Sequence, residues 1–142
     1  MNTATLARTS RIALALVFLA AAPYKILAPA AFADGIAAYS ILPDVLVNFT
    51  ALTLPWLELV TAALLLCRAW MKPALFLANI MLVVFLGALV SAHLRGIDLS
   101  CGCFSSTPAA SDEMIWYIAR DGLFLLLGLT AALLQRGAPE GD

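Results

Sequence analysis

The sequence predicts an all-α membrane protein, a bundle of four transmembrane helices with both termini in the cytoplasm. Three observations lead there. Of the 142 residues, 63% are apolar and only 12% charged, the apolar residues fall into four long runs, and lysine and arginine gather at one set of run ends. A soluble domain is roughly half apolar and a quarter charged. The formal net charge of −1 leaves no electrostatic reason to propose nucleic acid as a partner. A membrane barrel would need segments of about ten residues with alternating polarity, and the chain has none.

Each run is close to the roughly 20 residues a helix needs to cross about 30 Å of hydrocarbon. The first extends from Ile12 to about Ala30. Its opening, "RTSRIALALVFLAAA", is basic and then apolar with small residues at the end, as a secretory signal is. Pro23 directly follows the candidate cleavage alanines and apolar character resumes through Ile26, Leu27 and Ala28, which favours a helix that stays. The second run is Val45 to about Cys67, the third Pro73 to about Ala92, and the fourth Ile115 to about Leu134. Between them "APAAFADG" with "LPD", then "RAWMKP", then "RGIDLSCGCFSSTPAASDE" read as loops. Residues 1–142 thus form a single domain, with an outer loop over 94–114.

Orientation follows from the cations. Arg8 and Arg11 precede the first run, Arg68 and Lys72 occupy the short second connection, and Arg136 follows the fourth run, all on one side. Asp34, Asp44, Asp98, Asp112 and Glu113 lie on the other, with Arg95. The positive-inside rule puts the basic side in the cytoplasm and the two longer loops outside. In a bacterium this is the inner membrane, with the "CGC" loop in the periplasm, where disulfides persist.

Cys101 and Cys103 flank Gly102 in that loop. An i, i+2 pair with an intervening glycine can close a small disulfide. Such a ring gains little from chain entropy, and strained, exposed bridges are the labile or catalytic ones. The pair alone admits three readings: a redox disulfide, a metal ligand pair, or a structural or incidental pair. A closed zinc site needs four ligands, and the chain offers only His93 and Asp98 nearby, so no metal site is assigned. Cys67, at the far end of the second run, reads as a small buried residue.

Four ionisable residues fall inside the runs: Lys25, Glu58, Arg120 and Asp121. Each costs about 2.5–3.5 kcal/mol at the bilayer centre if left alone, so such groups turn inward and pair. Lys25 with Glu58, and Arg120 with Asp121 or Glu58, are the expected pairings. With His93 they form a candidate polar cluster that opens toward the "CGC" loop. Cations beside a cysteine favour its thiolate, giving Lys25, Arg95 and Arg120 a further role if the loop folds back over the bundle. A membrane quinone near Trp56 and the cluster is a possible electron acceptor.

"FLAAAPYKILAPAAFADGIAAYSILPDVLVNFTALTLPWLELVTAALLL", "RGIDLSCGCF" and "IARDGLFLLLG" resemble the MauE branch of the MauE/DoxX group of membrane proteins, from about Arg11 to Leu134. The likeness rests on Lys25, Phe32, Tyr39, "LPWLE" with Glu58, Cys101 and Cys103, and the Arg120 and Asp121 pair. Ser105 stands where the family often has glycine. The resemblance implies a four-helix protein that works with a periplasmic thioredoxin-like partner in forming or maintaining disulfides, as in maturation of the cysteine-rich small subunit of methylamine dehydrogenase. Three function classes therefore stand: a thiol-disulfide oxidoreductase using Cys101 and Cys103, a docking subunit without chemistry, and a soft-metal binding or transport protein.

Overall fold

The computed structural model describes residues 3–67, 70–97 and 111–136. The order of elements is α1 (Thr3–Leu27), α2 (Pro29–Ala38), α3 (Asp44–Leu66), α4 (Met71–Leu94) and α5 (Ser111–Arg136). Four of these are long and apolar enough to cross a membrane, with Met114–Leu134 as the apolar span of α5. The protein is therefore multi-pass. Helices satisfy their own backbone groups, as the bilayer core demands, and no strand occurs among the described residues.

The spanning helices form a ring in which α1 packs on α3 and α5, and α4 packs on the same two from the opposite corner. Alternation along the chain brings the start of α1, the end of α3, the start of α4 and the end of α5 to one end of the bundle. The Arg11 Nη1 to Met71 Sδ contact at 3.2 Å ties α1 to α4 there. This end carries Arg8, Arg11 and Lys72; it is called the basic end below. The opposite end, where α4 stops and α5 begins, is the loop end.

The sequence reading omits α2. Ala28 leaves helical geometry at φ −128° and ψ 63°, because the ring of Pro29 disfavours the α region in the residue before it. Pro29 then opens α2 in the first turn, where its missing N–H costs nothing. The segment expected as a loop is rich in alanine, a strong helix former. At ten residues and about 15 Å, α2 is too short to span; it packs on α3 instead. The same break ends α1 at Leu27, three residues before the expected Ala30.

Other boundaries move outward. α1 begins at Thr3 and not Ile12, and α4 covers Met71–Leu94 and not 73–92. α5 begins at Ser111, ahead of Ile115, where the sequence Ser-Asp-Glu suits the positive end of a helix dipole. Hydropathy finds the lipid-crossing stretch, whereas helices continue through polar turns beyond it. Trp70, at φ 54°, turns the chain between α3 and α4 in a left-handed conformation uncommon for any residue but glycine.

At the basic end the core is apolar and alanine-rich: Leu14, Phe18, Leu65, Leu75, Ala78 and Ala131 meet there. Lipid supplies no hydrophobic drive between helices, so small residues that permit close approach do the packing. Cys67 does not join this core. It is exposed at the C-cap of α3, which corrects its expected burial: the helix turns Leu65 inward and the thiol outward.

A charge-compensated chamber as candidate functional site

Near mid-depth, toward the loop end, the ring encloses charge. Lys25 on α1 is 1% exposed and Glu58 on α3 is 3% exposed; the ammonium Nζ donates to Glu58 Oε1. Helix geometry brings them together. Side chains tilt toward the N-terminus of their own helix, and α1 and α3 run in opposite directions. Lys25, two residues from the end of α1, leans down from the loop end, and Glu58, eight residues from the end of α3, leans up.

The ammonium also sits 5.1 Å from the ring centroid of Phe32 and 5.0 Å from that of Phe85. One ring comes from α2 and the other from α4, so α2 positions an aromatic lid over the ion pair. Phe32 is itself buried at 3%. Cation–π contacts of a desolvated cation are worth about 2 kcal/mol, which helps to offset the cost of keeping Lys25 out of water.

On α5, Arg120 Nε and Nη2 donate to Asp121 Oδ1 at 3.2 and 3.0 Å. The guanidinium lies 5.2 Å from the Tyr117 centroid and 5.8 Å from that of Phe124, one turn to either side on the same helix. Both pairs line a small chamber of about 40 Å³, walled by Phe18, Phe85 and Phe124 among others. That is room for about three water molecules. Glu58 Oε2 is buried without a hydrogen-bond partner among the described residues.

The structure thus brings Lys25, Glu58, Arg120 and Asp121 to one chamber. It does not bring His93 there. His93 is exposed in the last turn of α4 while its neighbour Ala92 is buried, because successive helical residues point about 100° apart. Trp56 is 60% exposed and lies on a different face of α3 from Glu58. Trp56 does not line the chamber. Cys101, Cys103 and Asp98 lie outside the described residues.

The loop that carries the cysteines leaves from a defined base. Leu89, Ala92 and Met114 form a buried apolar cluster with Tyr39, Phe85, Ile97 and Tyr117 packed on it. Ile97 is the last described residue before the loop and Met114 lies three residues beyond Ser111. A guanidinium N–H of Arg95 donates to the Tyr39 carbonyl, joining the C-cap of α4 to that of α2. Phe85 and Tyr117 belong to this base and to the cation seats of the chamber. Sequence reasoning missed Phe85, Tyr117 and Phe124; their signal was aromatic rings placed at the same depth as the charges.

Fold and site together define a class: a multi-pass helical membrane protein whose bundle holds a buried ion pair, Lys25 with Glu58, and a partly buried one, Arg120 with Asp121. The family model described as methylamine utilisation protein MauE matches residues 3–134, and the chain belongs to that family. Over 95 residues it is 38% identical to the methylamine utilization protein MauE of Paracoccus denitrificans, a match covering 66% of this chain and 51% of that protein. The match therefore spans about half the length of that relative. No solved structure matches.

Proposed function

We propose that the chain is the membrane-bound partner in thiol-disulfide exchange on the periplasmic face of the bacterial inner membrane. It acts through Cys101 and Cys103 with a thioredoxin-like protein that introduces disulfides into a periplasmic client. The family's name points to a client in methylamine utilisation. In one direction a partner thiolate attacks one sulfur of the Cys101–Cys103 bridge, and the other cysteine leaves as a thiolate. The partner's second thiolate then attacks the mixed disulfide, leaving the partner oxidised and the "CGC" pair as a dithiol. One disulfide is consumed and one is formed, and two electrons pass; the reverse sequence reduces the partner.

The observation that carries this reading is the shared base of the loop and the chamber. Phe85 and Tyr117 pack in the cluster that anchors the loop at Ile97 and Met114 and also cover Lys25 and Arg120. Each of those cations has a carboxylate partner, so its field is largely cancelled. The chamber residues Lys25, Glu58, Arg120 and Asp121 therefore support the floor of the site. Arg95, exposed beside the loop, is the better-placed cation to favour a thiolate.

The test uses Cys101→Ser and Cys103→Ser, each with Cys67→Ser, in membranes containing the thioredoxin-like partner. Non-reducing electrophoresis is expected to show a trapped intermolecular disulfide in at least one of the two. No trapped species in either would sink the exchange mechanism. Partner binding that survives without trapping would mark a docking subunit, and bound copper or zinc lost in both would mark a metal protein.

A further inference from the structure

The chamber contains one polar atom that its own side chains do not satisfy. Lys25 occupies Glu58 Oε1, and the second carboxylate oxygen, Oε2, is buried with no hydrogen-bond partner among the described residues. Glu58 is only 3% exposed, so bulk solvent does not cover that oxygen, and lipid tails have no donor to offer it. Buried polar groups almost always find a partner, because a bare one, above all a charged one, is costly. The oxygen therefore calls for a donor inside the bundle.

Topology places that donor at the centre of the ring. α3 and α5 stand at opposite corners and do not pack on each other among the described residues. Glu58 of α3 and the Arg120 and Asp121 pair of α5 nevertheless line the same chamber, so they face each other across its interior. Arg120 Nε and Nη2 both donate to Asp121 Oδ1, and these bonds stay within α5. A bridge between the two corners has to come through the chamber itself.

Charge, hydrogen bonding and size select the occupant. With the four side chains ionised, two cations and two carboxylates cancel, and an added ion of either sign would be buried with no countercharge left for it. The occupant is therefore neutral. It must donate to Glu58 Oε2 and also bond a second group across the gap, while the rest of the lining, including Phe18, Met81 and Phe124, is apolar. The chamber of about 40 Å³ admits roughly three water molecules, and a buried water makes about three hydrogen bonds.

We propose that the chamber is a binding site for ordered water, about two or three molecules that donate to Glu58 Oε2 and continue to the Arg120 and Asp121 pair. The two ion pairs then form one hydrated network, and water joins the diagonal helices α3 and α5, which lack a contact of their own. The site does not depend on the thiol exchange.

The experiment is X-ray radiolytic labelling of the full chain in lipid nanodiscs, with oxidised residues read by mass spectrometry. A radiolysed water delivers its hydroxyl radical to the side chains it touches, and methionine reacts readily. Met81 lines the chamber and is 7% exposed, whereas Met114, at 2%, sits in the apolar cluster of the loop base and does not line the chamber. Wild type is expected to oxidise Met81 well above Met114. Ala21→Leu fills the chamber from its lining without changing its charge, and Lys25→Met with Glu58→Leu removes the acceptor that the water needs. Each is expected to bring Met81 down to the level of Met114. The half-buried Met71 at the basic end should label equally in all three proteins, which establishes that they fold alike. Equal labelling of Met81 and Met114 in wild type overturns the proposal without recourse to a variant. Met81 labelling that persists in either variant overturns it too, since the water would then lie outside the chamber or be held by something other than Glu58.

Discussion

The two ends of the bundle are built by different means. At the basic end α1, α3, α4 and α5 meet through alanines and leucines, with Ala15, Ala62, Ala78 and Ala131 all at 1% exposure or less. Toward the loop end the same helices meet through Lys25, Glu58, Arg120 and Asp121, packed among aromatic rings. Close packing of small residues supplies stability in lipid at no desolvation cost. Buried ion pairs are a poor way to gain stability, since hydrophobic replacements of similar volume are often neutral or better. A bundle that uses the cheaper device in one half and the dearer one in the other has a reason for its charges beyond holding together. Their position under the loop base accords with that reason being the loop.

The sharpest way to break the contrast is Glu58→Leu. It leaves the Lys25 ammonium buried without its partner and is expected to destabilise the protein by about 3–5 kcal/mol, read as a shift in reversible unfolding in detergent. Lys25→Met with Glu58→Leu should recover most of that loss while client oxidation stays impaired. If the double variant is fully active, the pair is structural only. The matching change in the apolar half is Gly128→Ala. Its new methyl would lie 2.6 Å from Asn79 Oδ1 and displaces the carboxamide from the Leu75 carbonyl it donates to, at about 1 kcal/mol for the lost hydrogen bond. In an Asn79→Ala background the penalty should vanish, and a double-mutant cycle measures that coupling. The smallest effect is expected of Phe32→Leu, which keeps an apolar plug on α2 but removes one of two rings over Lys25. It should cost about 1 kcal/mol, and a loss equal to that of Glu58→Leu would mean that α2 contributes far more than a lid.

Much of this contrast was legible in the residues. Four apolar runs and four misplaced charges are enough to say that helices span and that the charges must find one another, because an unpaired charge in lipid has so few alternatives. The family likeness singled out Phe32 as well, without saying what it covers. What stayed hidden depended on rotation and on local backbone choices. α2 was concealed because an alanine-rich stretch after a proline break reads equally as loop or short helix. His93 was drawn toward the cluster by its chemistry, although the register of α4 places Ala92 inward instead. Cys67 was assigned to the core by residue type, while its place beyond Leu65 turns it out.

The opposed lean of Lys25 and Glu58 bears on how the chain enters the membrane. The two residues are 33 positions apart, so at about 5–20 residues per second the ribosome delivers the glutamate roughly two to seven seconds after the lysine. For that interval α1 is in or near the bilayer with an ammonium two residues from its end, close enough to reach the headgroups by stretching outward. Once α3 arrives, the ammonium meets its carboxylate inside the bundle, beneath Phe32 of α2. The Lys25–Glu58 pair that joins α1 to α3 can therefore form only after Glu58 has been synthesised.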